Sequence, residues 1–238
     1  MRKPEDYIVF PLDVDTREEA ERLVRLLKDR VGMFKVGLEL FIRFGPEVIE
    51  AVKDAGARRI FLDLKLHDIP VTVAKGVAGF ADLGIDFATV HCGESRGMLE
   101  AAAEAAGDRV TLLGVTVLTS VTGEDIASAG FTKGYAEDID KLILMRAGMA
   151  KEAGFGGVVC SGREAGLIKG ALGDFVTMTP GIRPAWEGVA RGDQRRVTTP
   201  AQAVKNGSDY LVIGRPIRMA SDPAAAAERI AEEISEVL

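Results

Sequence analysis

The chain has 238 residues, 47% of them hydrophobic, and 30 Lys and Arg against 36 Asp and Glu give it a net charge of −6. A chain of that length and apolar content can bury its own core without a metal or disulfide staple, and it falls in the size range of one α/β barrel. It has no basic tract and no run near about eighteen apolar residues, which argues against a general nucleic-acid surface and against a membrane-spanning helix.

At the N-terminus, MRKPEDYIVFPLDVD places acidic residues where an export signal needs an apolar stretch, so the expected location is cytoplasmic. The first β-branched and aromatic run, YIVFPLDV (7–14), leads into an amphipathic stretch over 16–30, with Thr16 placed to cap it and Glu19 three residues on. MFKVG (33–37), RRIFLDLK (58–65), FATVHC (87–92), RVTLLGVTVL (109–118), GGVVC (156–160), DFVTM (174–178) and YLVIG (210–214) follow. Each is mostly apolar, as a strand buried on both faces should be, and helical patterns separate them. The alanine runs at 101–106 and 224–227 read as helix. Cys92 and Cys160 are far apart and in no CxxC spacing, so they suggest neither a zinc site nor a disulfide. Eight βα units without a low-complexity linker predict one α/β domain over 1–238, a single (β/α)8 TIM barrel in preference to an open doubly wound sheet.

In a barrel the active site lies at the C-terminal ends of the strands. Read in order, those ends carry Asp13, Lys35, Asp63 with Lys65, His91, and Thr119 with Ser120; a long loop with Arg183 and Gln194 and the Gly214–Arg215 pair follow. The strongest signal is FLDLKLHDIP, where Asp63 and Lys65, two apart on a strand, share one face, while Asp68 lies beyond the strand. An isolated Asp-x-Lys reads first as a structural ion pair. Lys35, ending the preceding strand, would add a second lysine beside the same carboxylates and turns the reading towards chemistry. His67 reads as an orienting or packing residue rather than a metal ligand, and His91 and Cys92 as strand-end packing. Trp186 is open to two readings, a cover over the site or a solvent-facing anchor.

The segments PLDV (11–14), FKVG (34–37), DLKLHDIPVT (63–72), LTS (118–120), TPGIRP (179–184), GDQRR (192–196) and IGRPI (213–217) together resemble the orotidine 5′-phosphate decarboxylases, in family order along nearly the whole chain. Val71 is a departure, standing where many members carry asparagine. The resemblance implies decarboxylation of orotidine 5′-phosphate to uridine 5′-monophosphate without metal or cofactor, in a homodimer with shared sites. It further implies that Lys65 donates a proton to C6 of the pyrimidine, with Asp63, Asp68 and Lys35 completing the charged network. Asp13 and Lys35 would hold ribose hydroxyls, Thr119 and Ser120 the base, and Thr72 with Asp68 would reach the neighbouring subunit's site. Pro180 would join the substrate pocket, and Arg183, Gln194, Gly214 and Arg215 would bind the phosphate. The Asp-x-Lys-x-x-Asp core also resembles Mg2+-dependent sugar-phosphate decarboxylases and aldolases of the same barrel group, such as 3-keto-gulonate-phosphate decarboxylase. A phosphate-binding barrel without catalysis is the alternative from another class.

Overall fold

The computed structural model describes residues 2–187 and 197–238. Its eight parallel strands close in sequence order: β1 (Ile8–Pro11), β2 (Met33–Gly37), β3 (Ile60–Leu66), β4 (Phe87–His91), β5 (Thr111–Val115), β6 (Gly157–Val159), β7 (Val176–Thr179) and β8 (Tyr210–Val212), with β8 pairing back to β1. Six fall inside the runs expected from sequence, β3 and β7 each run one residue past theirs, to Leu66 and Thr179, and the eight-stranded parallel barrel is the expected fold. Helix α1 (Arg17–Leu27) follows β1, and the Thr16 hydroxyl accepts from the Glu19 N–H at 3.2 Å as the cap pattern required. It stops at Leu27 with Lys28 as cap, short of the 16–30 stretch, because the chain turns there to enter β2. After β2 come α2 (Leu38–Phe44) and α3 (Glu47–Asp54), and α4 (Pro70–Asp82) and α5 (Arg96–Ala106) follow β3 and β4. Two short helices, α6 (Gly123–Ser128) and α7 (Lys133–Glu137), precede α8 (Ile139–Glu152). The circuit ends with α9 (Ala165–Leu172), α10 (Pro200–Lys205), α11 (Arg215–Arg218) and α12 (Pro223–Ser235).

Two apolar layers hold this arrangement. The larger lies between strands and helices; the smaller fills the barrel interior with Val9, Met33, Phe61, Phe87, Leu113 and Met178, one from each of six strands. Side chains alternate along a strand, so two residues further on the chain again faces the axis, one layer higher. That step leads from Met33 to Lys35, from Phe61 to Asp63, from Phe87 to Thr89 and from Met178 to Pro180. The apolar plug thus becomes the floor on which a polar layer stands.

The lower rim is closed by a 3-10 turn at Pro4–Tyr7. The Arg2 guanidinium lies 4.1 Å from the ring centres of both Tyr7 and Tyr210, and Arg59 lies 5.3 Å from Tyr210 and 5.4 Å from Phe87. Arg59 also pairs with Asp86 at 3.2 Å, and the second oxygen of Asp86 accepts the Ile60 N–H.

Candidate active site

The upper rim opens on a cavity of about 540 Å3. One wall carries Asp13, Lys35, Asp63 and Lys65, from the ends of β1, β2 and β3. The Lys65 ammonium donates to both oxygens of Asp63, at 2.8 Å each. Lys35 lies 3.7 Å from Asp63 and 3.2 Å from Asp13, so cations and carboxylates alternate along the wall. Burial opposes the charge on Asp63, but Lys35, Lys65 and a hydrogen bond from Thr89 outweigh it and hold the carboxyl below its ordinary range. Gly37 keeps this row intact, because a Cβ there would stand 2.8 Å from the Lys35 ammonium.

Regular alternation is not how Asp63 and Lys65 come together. Register between β3 and β4 passes from Leu62–Ala88 to Leu66–Val90, so Asp63, Leu64 and Lys65 bulge out opposite Thr89 alone. Lys65 takes φ +52°, and it is the one non-glycine residue in the left-handed region among those described. Such a conformation costs a long side chain on the order of 1–3 kcal/mol and persists only where its surroundings enforce it. Thr89, absent from the sequence-derived candidates, is one such constraint: its hydroxyl accepts the Lys65 N–H at 2.8 Å and donates to Asp63 at 3.1 Å.

Thr119 and Ser120, beyond β5, and Pro180 and Arg183, beyond β7, also line the cavity, as do Gly214 and Arg215 where β8 passes into α11. A Cβ on Gly214 would meet Pro11 at 2.8 Å, so only glycine lets β8 leave the barrel this close to β1. Arg218 belongs to the same wall and was not anticipated, since in sequence it reads as an ordinary last-turn cation; its guanidinium donates to the Asp13 carbonyl at 2.7 Å. The chain leaves and returns beside this wall through a bridge between Ile182 and Thr198. Gln194 lies outside the described residues.

Asp68 and Thr72 do not join the cavity of their own chain. Both are exposed, and Asp68 accepts the N–H of Ile69 at 2.6 Å. The His67 ring lies 5.7 Å from that of His91, tilted by 45°, and stands 3.8 Å from Glu94. Burial, followed by the charges of His67, Lys65 and Arg146, disfavours protonation of His91. Among the described residues no cluster of three or more His, Cys, Asp or Glu is placed to hold a metal ion. Trp186 does not line the cavity; half-buried, it packs on the core with the Arg229 guanidinium 4.0 Å over its ring. Cys92 and Cys160 are buried free thiols; burial pushes Cys92 up to about 12 and Cys160 higher still. Among the described residues no helix is long and apolar enough to cross a membrane.

Residues 6–230 match the model of the orotidine 5′-phosphate decarboxylase / HUMPS family. An orotidine 5′-phosphate decarboxylase of Desulfosudis oleivorans is 54% identical over 239 aligned residues, covering 100% of this chain and 96% of that protein. The decarboxylase of Pelobacter propionicus is 46% identical over 95% of this chain and 94% of its own. The crystal structure of the Lactobacillus acidophilus decarboxylase superposes with a TM-score of 0.81 at 37% identity, covering 95% of this chain and 98% of that one.

Proposed function

This chain belongs to the orotidine 5′-phosphate decarboxylase / HUMPS family, and from that premise we propose that it converts orotidine 5′-phosphate to uridine 5′-monophosphate without metal or cofactor, Lys65 delivering the proton to C6. The observation that carries the reading is the Lys65 ammonium held 2.8 Å from both oxygens of Asp63 at the cavity wall, with Lys35 behind. When the bond from C6 to the carboxylate breaks, CO2 departs and the electron pair stays on C6. Lys65 stabilises that developing charge and then transfers its proton to C6, regaining one from solvent afterwards. An arginine would hold the charge but not give up the proton.

Asp63 contributes by repulsion as well as by positioning. Two like charges at about 4 Å and an effective dielectric of about 20 cost roughly 4 kcal/mol, about three decades of rate if wholly relieved. Barrier reductions of on the order of 8–23 kcal/mol are usual for enzymes, so lysine stabilisation and phosphate binding energy supply the larger share. Arg183, beyond β7, and Arg215, at the start of α11, both line the cavity and suit a phosphate, while Thr119 and Ser120 stand where they can read the base. Metal-free chemistry is favoured by the wall itself: a divalent ion at Asp63 would have to displace Lys65 from both oxygens and face Lys35.

Purified protein should consume the absorbance of orotidine 5′-phosphate, keep doing so in EDTA, and lose the activity on Lys65→Ala. Activity abolished by EDTA and restored by Mg2+ would instead point to sugar-phosphate chemistry.

The exposure of Asp68 and Thr72 supports a homodimer with shared sites. Exposed apolar side chains flank them in sequence, Ile69 and Val71, and Leu38 and Ile42 are exposed on α2, apolar surface of the kind a second copy would cover. Separately inactive Lys65→Ala and Asp68→Ala proteins, mixed under subunit exchange, should recover about a quarter of wild-type activity, since half the dimers are mixed and each has one intact site. Exchange seen by mass spectrometry without recovery places Asp68 in its own subunit's site.

A further inference from the structure

Thr89 has no counterpart among the groups that would touch substrate, yet it meets both halves of the pair that does. It is fully buried in the middle of β4, opposite the three-residue bulge of β3. Its hydroxyl has one proton and two lone pairs. The Lys65 N–H occupies a lone pair at 2.8 Å, so the proton is the group that reaches Asp63, at 3.1 Å. One side chain therefore ties the left-handed backbone of Lys65 and the carboxylate that receives the Lys65 ammonium into a single ring of contacts.

We propose that Thr89 is a positioning residue for the decarboxylation, its hydroxyl locking the Asp63–Lys65 bulge so that the ammonium faces the cavity while Asp63 stays ionised. This rests on the reading of Lys65 as proton donor and goes beyond it in naming what fixes the donor in place. A threonine is suited to the position, since its β-branched side chain fits a strand and its hydroxyl serves the bulge's unpaired N–H. The groups facing Asp63 are Lys35 from β2, Lys65 on β3, and Thr89 with His91 from β4. Without the hydroxyl, Asp63 loses a donor that favours its charged form, and the Lys65 N–H loses its acceptor.

The test compares Thr89→Val, which keeps the shape, with Thr89→Ser, which keeps the hydroxyl. In Thr89→Val, kcat should fall about 10- to 100-fold, the KM for orotidine 5′-phosphate should change less than about threefold, and the acid limb of kcat against pH should move to higher pH. Thr89→Ser should recover most of kcat and return the acid limb. A Thr89→Val enzyme with wild-type kcat and pH profile overturns the proposal, as does a Thr89→Ser enzyme impaired as badly as Thr89→Val. Should valine prevent folding, Thr89→Ala takes its place against Thr89→Ser with the same outcomes. Lys65→Ala is run beside them: if it retains turnover, the proton-donor reading fails, whereas loss there with an indifferent Thr89→Val removes only the role of Thr89.

Discussion

At the lower rim of the barrel Arg59 meets Asp86 at 3.2 Å and lies on the rings of Phe87 and Tyr210, while at the upper rim Lys65 meets Asp63 at 2.8 Å beside an open cavity. Both are cation–carboxylate pairs at strand ends, and by residue type they are hard to tell apart. At the lower rim, aromatic faces cover the guanidinium and the carboxylate also accepts a backbone N–H, with neither residue in the left-handed region. At the upper rim the pair sits on a bulge, in a left-handed backbone, with about a third of the lysine side chain exposed towards the space a substrate would fill. Charge alone does not mark a site; charge held by strained backbone beside a cavity does.

If that distinction is sound, equivalent deletions at the two rims must fail in different ways. Lys65→Ala should lower kcat by at least about 10^4-fold, because it removes both charge stabilisation and proton delivery, while leaving binding of uridine 5′-monophosphate largely in place. Near-normal single-turnover rates would collapse the contrast. Arg215→Ala should cost about 10- to 100-fold in kcat/KM through lost charge-assisted contacts to phosphate, with kcat also falling if remote binding energy is used in the transition state. An unchanged kcat/KM would take Arg215 out of the site. Arg59→Ala should leave kcat within about twofold yet destabilise the fold by about 2 kcal/mol, seen as a melting temperature about 4–8 °C lower. A large loss of kcat without loss of stability would mean that the lower rim takes part in function after all.

Much of this was legible in the chain. Apolar runs of four to eight residues mark buried parallel strands whatever their partners, and Asp63, Lys65 and Lys35 stand out because charges are conspicuous at the ends of such runs. The same regularity conceals the bulge. Two-residue alternation already puts Asp63 and Lys65 on one face, so nothing in DLK signals that the strand reaches this result through three residues opposite one. Thr89 was hidden for a related reason, since a threonine inside FATVHC is indistinguishable from a β-branched residue chosen for packing. Arg218 meets Asp13 across 205 positions of sequence, and Trp186, which precedes α10, meets Arg229 inside α12. Neither contact leaves a local pattern to read.

The two buried cysteines have a consequence for how the surface around Asp68 can be interrogated. Cys92 and Cys160 are out of reach of solvent, and the same burial pushes both thiols up, away from the thiolate. Since an accessible thiolate is the form that reacts, the folded protein should react only slowly with maleimides and iodoacetamide at neutral pH. It is therefore a ready-made background for single-site labelling: Val71→Cys would add one reactive thiol on the exposed apolar surface next to Thr72, with no native cysteine to remove first. Its labelling rate as a function of protein concentration would report directly whether a second copy of the chain shields that surface, and at what concentration the shielding begins.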